Sequence, residues 1–206
     1  MALTLFAAKG SCSTATHIAL EEAGADYILH KIDTAAGDQR KPEFLKINPK
    51  GRVPVLTTDR GPLTENVALL LFVAQTYPKA VLAPLDDVFA LAELNAFNSY
   101  LASTVHVAHA HKMRGSRWSD NAEAIETMKA KVQQNMTDCA VVIENEYLTG
   151  PWVLGADYSI GDCYLHVITT WMMGDGVEMK PFPKLSAHHA AMLARPAVKK
   201  VMADLG

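Results

Sequence analysis

At 206 residues, half of them hydrophobic and a fifth charged, the chain can form one large domain or two small packed ones and has the balance of an ordinary globular protein. Its formal net charge of −3, with Arg40-Lys41 only an isolated basic pair, argues against nucleic acid as a partner. No apolar stretch reaches the length of a membrane span, and the first ten residues lack the basic start and sustained apolar core of a secretion signal.

Residues 3–7 form a short apolar run that reads as a buried strand. Residues 11–23 follow as a helix, with Ile18, Ala19 and Ala23 apolar and Gly24 placed to end it. Residues 27–32 alternate and read as a second strand. This strand–helix–strand order implies a parallel pair with a right-handed crossover. A polar loop over 34–40 leads to a short helix at 42–46, a hairpin of strands at 53–57 and 61–63, and a helix at 65–76. The first part is therefore α/β, in the order βαβ-ββα.

Residues 78–87 carry two prolines and an acidic pair and read as a linker, which divides the chain into 1–77 and 88–206. Everything after it is all-α. Long helices are predicted at 88–112 and 122–148, the second with Ile125, Met128, Val132, Met136, Cys139, Val142, Ile143 and Tyr147 as its buried stripe. Shorter helices are predicted at 159–173, 183–193 and 196–205. Ser159-Ile160-Gly161-Asp162 has the spacing of a capping box, with Tyr158 and Cys163 as the staple across it, and is structural.

Four features carry possible chemistry. Pro54 lies between valines at the start of a strand, where its missing N–H is out of place. A cis bond there turns the backbone of Val53 outward, towards an extended ligand. Glu65-Asn66 opens the next helix, where free N–H groups favour a carboxylate. Cys12 stands where the first strand hands over to the first helix, a position that favours thiolate. It can serve as nucleophile, redox thiol or hydrogen-bond partner of a bound thiolate, with Ser11 and Ser13 as competing hydroxyls. His106, His109 and His111 are spaced three and two apart, which does not place all three on one helical face. The three cysteines, Cys12, Cys139 and Cys163, contain no CxxC, so no metal set is read here and a reducing cytoplasm is implied.

The order of these parts resembles the cytosolic glutathione transferases from end to end. Three segments carry the resemblance: Asn48-Pro49-Lys50-Gly51-Arg52-Val53-Pro54-Val55-Leu56, the acid at the following helix start, and Ser159-Ile160-Gly161-Asp162. Gly10-Ser11-Cys12-Ser13, with His17-Ile18-Ala19-Leu20 behind it, is most similar to the bacterial beta class. The resemblance implies a thioredoxin-like N-terminal domain and an all-helical C-terminal domain. Glutathione is the implied cosubstrate, with Val53 and Pro54 at its cysteinyl part, Glu65 at its amino group, Asn66 at its carboxylate and Cys12, aided by Ser13, at its sulfur. Ser103 and His106 are implied to reach the active site from the helical domain, and His109, Met113 and Trp171 to line the electrophile pocket. The family usually has serine at Asn66. The beta class often has asparagine at Ser99, and a lysine near Ala35 whose work falls here to Arg40 or Lys41.

The activity this implies is conjugation of glutathione to small hydrophobic electrophiles by a cytoplasmic homodimer. Two alternatives stand beside it. One is thiol–disulfide exchange or peroxidase chemistry through a mixed disulfide on Cys12, and the other is a non-catalytic binding module of the same fold.

Overall fold

The computed structural model describes residues 2–205. It divides into two compact units: one takes the chain up to Leu91 together with the tail from Met192, the other Ala92–Ala191.

In the first unit, β1 (Thr4–Ala7), β2 (Ile28–Lys31), β3 (Val55–Thr58) and β4 (Gly61–Thr64) form a sheet in the order β2-β1-β3-β4. β1 and β2 run parallel, Leu5 opposite Leu29, and are joined by helix α1 (Ser13–Glu22), the crossover a parallel pair requires. The other two pairings are antiparallel. This is the predicted βαβ-ββα order. The two-residue period of β1 sends Leu5 and Ala7 into one fully buried face. It sends Phe6 and Ala8 to the other, where Ala8, Ile32 and Val55 pack with Phe44 of α2 (Pro42–Ile47). Helix α1 is buried along its whole length from Ser13 to Leu20, because β1, α3 (Asn66–Thr76) and α10 (Pro196–Leu205) all pack on it. It ends where Gly24 adopts φ +61° and the N–H groups of Gly24 and Ala25 bond the carbonyls of Glu21 and Leu20.

The sequence placed α10 with the helical half, but its contacts lie with α1. Val198 and Val201 are fully buried. Arg195 holds the carboxylate of Glu22 through Nε at 2.5 Å and its terminal nitrogen at 2.9 Å, and Lys200 Nζ reaches both oxygens of Glu21 at 2.7 Å. The apolar spacing of residues 196–205 predicts a buried face without saying what covers it. The stretch read as a linker is also tied down, since Leu82 and Ala83 are buried.

The remaining helices are α4 (Val88–Tyr100), α5 (His106–Arg114), α6 (Ala122–Ala130), α7 (Val132–Val142), α8 (Ile160–Gly174) and α9 (Pro183–Ala194). Both predicted long helices are interrupted. A π-helical turn at Leu101–Val105 separates α4 from α5, Lys131 separates α6 from α7, and a second π-helical turn closes α7 at Ile143–Tyr147. Residues 101–105 and 143–147 contain no proline or glycine, so no breaker in the sequence marks either π-helical turn. Val132, Met136, Cys139 and Ile143 are buried as predicted, whereas Val142 is 39 % exposed because Ile143 and Glu144 take the inward positions. Glu144 accepts the N–H groups of Lys184 and Leu185, both at 2.9 Å, and so caps α9.

The capping box is present as read: Ser159 N–H bonds Asp162 Oδ2 at 2.7 Å, and Ser159 Oγ accepts from Gly161 N–H at 3.1 Å. Tyr158 and Cys163 meet across it at 3.2 Å. Among the described residues, no helix is long and apolar enough to cross a membrane.

Candidate active site

The turn from β1 into α1 is built by hydroxyls. Ser13, fully buried, accepts the N–H of Ala8 at 2.9 Å and lies 2.6 Å from Ser11 Oγ, which donates to the carbonyl of Ala8 at 2.9 Å. These bonds engage Ser13 with the backbone, so it helps shape the turn that presents Cys12. Cys12 occupies the N-cap of α1, 8 % exposed, and its Sγ donates to the carbonyl of Val53 at 3.6 Å.

The loop before Val53 is tied by Asn48, which is buried, donates to the carbonyl of Arg52 at 2.7 Å and accepts from the N–H of Lys50 at 3.2 Å. Gly51 has φ +58°, and a Cβ there would sit 3.0 Å from the carbonyl of Gln39, so the motif's glycine answers both a backbone and a space requirement. The Val53-Pro54 bond is cis, as the strand-breaking proline suggested.

After β4, Glu65 takes φ +72°, ψ 117°, a sparsely populated conformation for a residue with a Cβ. Such a residue costs on the order of 1–3 kcal/mol and is concentrated at binding sites. Its carboxylate is exposed and is reached by Lys50 Nζ at 2.5 Å, which also bonds Thr64 Oγ1 at 2.7 Å.

Asn66 is buried: its Oδ1 accepts from Thr16 Oγ1 at 2.8 Å, and its Nδ2 has no partner among the described residues. An unpaired buried donor is costly, so Nδ2 is set to receive an acceptor from a ligand. Thr16 and Lys50 were not singled out in the sequence. Their partners lie 50 and 15 residues away, and although Lys50 falls within the Asn48–Leu56 run, nothing local marks either side chain as making these bonds.

In the second unit, the ring of Trp171 stacks on His109, with centroids 4.4 Å apart and planes within 7°, and meets His106 at 4.7 Å. His106 Nδ1 lies 3.1 Å from Tyr164 Oη, and His109 Nδ1 2.7 Å from Asp175 Oδ2. Lys112 closes the group, bonding Asp175 at 3.1 Å and the carbonyl of Gly174 at 2.6 Å. Asp175, 66 residues from His109, left no trace in the sequence pattern. Ser103 donates to the carbonyl of Ser99 at 2.8 Å. Met113, expected in the same pocket, is 81 % exposed on α5. Lys41 is paired with Asp38 at 2.7 Å. A cavity of about 500 Å³ lies on the α2 face of the sheet, lined by residues that include Phe6, His30, Phe44 and Lys41, one of the two candidates for the work of the family's lysine.

Residues 1–75 match the family model of the glutathione S-transferase N-terminal domain. A solved structure of a glutathione transferase homologue from Sulfitobacter, with bound glutathione, is 46 % identical and superposes with a TM-score of 0.95 over 98 % of this chain and 97 % of its own. The chain belongs to the glutathione transferase family. A beta class glutathione S-transferase from Sphingomonas chungbukensis is 34 % identical, with a TM-score of 0.86 and 98 % of each chain covered. The disulfide-bond oxidoreductase YfcG of Escherichia coli K12 is 28 % identical over 91 % of this chain and 89 % of its own. The glutathione transferase fold expected from the sequence is thus shown. Of the predicted site residues, Cys12, Val53, Pro54, Glu65 and Asn66 fall in the first unit, and Ser103, His106, His109 and Trp171 in the second.

Proposed function

We propose that this member of the family is a glutathione transferase that joins the glutathione sulfur to small hydrophobic electrophiles. One observation carries the reading: Cys12 and Thr16, one turn apart on α1, touch Val53 and Asn66 respectively. A single helix face thus holds both the backbone that is to pair with the cysteinyl part of glutathione and the amide that is to receive its γ-glutamyl carboxylate. Glu65 supplies the negative charge for the adjacent ammonium.

The thiol of bound glutathione sits at the start of α1, where the helix dipole and the Cys12 S–H stabilise its anion. Moving a thiol pKa from about 8.5 to 7 raises the thiolate fraction at neutral pH more than about tenfold. The thiolate then attacks the electrophilic carbon, a C–S bond forms and the leaving group departs with its electron pair. In the second unit, the aromatic group of Trp171, His106 and His109 is assigned to the electrophile. The protein is proposed to work as a cytoplasmic homodimer.

A second reading has a specific observation behind it. The Cys12 thiol lies against the backbone carbonyl that is to receive glutathione, which also suits a mixed disulfide: attack on glutathione disulfide forms Cys12–S–S–glutathione and releases one glutathione thiolate. The relative named as a disulfide-bond oxidoreductase supports it.

Wild type and Cys12→Ala are to be compared on immobilised glutathione, with an aryl halide and with a small disulfide. Loss of conjugation alone in the variant is expected. Loss of disulfide reduction with conjugation retained overturns the first reading in favour of the second. Failure of the wild type to bind glutathione overturns both and leaves a non-catalytic module.

A further inference from the structure

The side chain of His17 is fully buried on α1, and neither ring nitrogen has a hydrogen-bond partner among the described residues. Orphaned imidazole nitrogens in a packed interior are unusual and call for an explanation. Its Nε2 points at Asp204 Oδ2, 3.8 Å away on α10. One turn along α1, Glu21 faces the same spot, so that one nitrogen and two carboxylate oxygens lie within 4.8 Å of one another. Burial holds the His17 pKa below its ordinary value despite the nearby Asp204 and Glu21. The ring is accordingly neutral at pH 7, the form that ligates metals.

From this geometry we propose that His17, Glu21 and Asp204 bind a divalent transition cation, Zn2+ by preference, which staples α10 to α1. The site lies within the first unit and does not depend on the reading of Cys12. Imidazole with two carboxylates suits Zn2+, and three protein ligands leave a fourth, tetrahedral position for water. Bonds of about 2.0–2.1 Å require donors roughly 3.4 Å apart, so the side chains close by up to ~1.4 Å on loading. Asp204, with 37 % of its side chain exposed, has room to make that move.

One competitor is already present. Lys200 Nζ bonds both oxygens of Glu21 at 2.7 Å, and Tyr27 Oη bonds one of them. The ammonium therefore competes with the cation for the Glu21 carboxylate in the metal-free protein, and metal entry turns it out into solvent. This gives the proposal a sign that a merely structural ion pair lacks: removing Lys200 should strengthen binding.

The test uses the full chain stripped with a chelator and titrated with Zn2+ by calorimetry, with Co2+ as a spectroscopic probe. One equivalent is expected to bind and raise the melting temperature. Asp204→Asn and His17→Gln should each weaken binding by more than about tenfold, while Lys200→Gln tightens it. No binding, binding undiminished in Asp204→Asn, or weaker binding in Lys200→Gln overturns the site. Asp204 is partly exposed, so its variant decides the matter even if His17→Gln does not fold.

Discussion

Thr16 donates its hydroxyl to Asn66 Oδ1 over 2.8 Å, and in doing so decides which end of that buried amide is left for a ligand. Without the hydroxyl the amide loses its anchor and can turn either end outward. Thr16→Val keeps the shape and removes the bond, and a net hydrogen bond is worth about 0.5–1.5 kcal/mol. KM for glutathione should therefore rise roughly two- to tenfold with kcat little changed. Steady-state kinetics with glutathione varied would show it, and an unchanged KM would remove Thr16 from the site.

Asn66→Asp makes the converse change. Thr16 can still donate to the new carboxylate, so the fold is retained, but the group that faces the γ-glutamyl carboxylate becomes an acceptor of like charge. Burying such a pair costs several kcal/mol, and glutathione binding should fall more than about a hundredfold. Asn66→Ser, which restores a donor, should bind within about tenfold of the parent. Calorimetric titration with glutathione separates the two.

These residues mark where the sequence was legible. Val53-Pro54 was readable because a proline is a local departure from what a strand prefers. Glu65-Asn66 and the capping box at Ser159 were readable because each matches what a helix start prefers. Thr16, Lys50 and Asp175 were not, because each acts through a partner set by tertiary packing. For Ser13 the sequence left open whether a hydroxyl beside Cys12 points to ligand or to backbone, and its bonds to Ala8 are set by the folded turn. The breaks at Leu101–Val105 and Ile143–Tyr147 escaped because neither stretch contains a proline or glycine to mark it.

His166 on α8 makes stability depend on acid. It is buried and stacked on His189, and burial, with the neighbouring His189 and His188, lowers its pKa to about 3. The unfolded chain, with an ordinary value near 6.5, takes up a proton that the folded protein refuses. The contribution is thus fully present above about pH 6.5 and declines as pH falls towards 3, by roughly 1.4 kcal/mol per pH unit. Urea midpoints at pH 7.5 and 5 should fall less far in His166→Phe than in the parent; equal slopes would show that other groups carry the acid limb.

Asp162 holds more of the second unit together than its place in a capping box suggests. Its two oxygens receive the N–H groups of Ser159 and Val153, at 2.7 and 2.9 Å, and lie 3.1 Å from Ser159 Oγ and 3.0 Å from His188 Nε2. Both Asp162 and His188 have fully buried side chains, 26 residues apart in sequence. Asp162→Ala leaves the N–H groups of Ser159 and Val153 and the Nε2 of His188 buried without this acceptor, a larger loss than the roughly 1 kcal/mol of an ordinary N-cap. Breaking a buried network in this way costs about 3–5 kcal/mol, and denaturant unfolding should show the midpoint lowered with its slope unchanged. His188→Leu removes one partner without stranding the others and should cost less. If the two variants lose the same amount, the His188 contact, and not the cap, carries the stability of this end of α8.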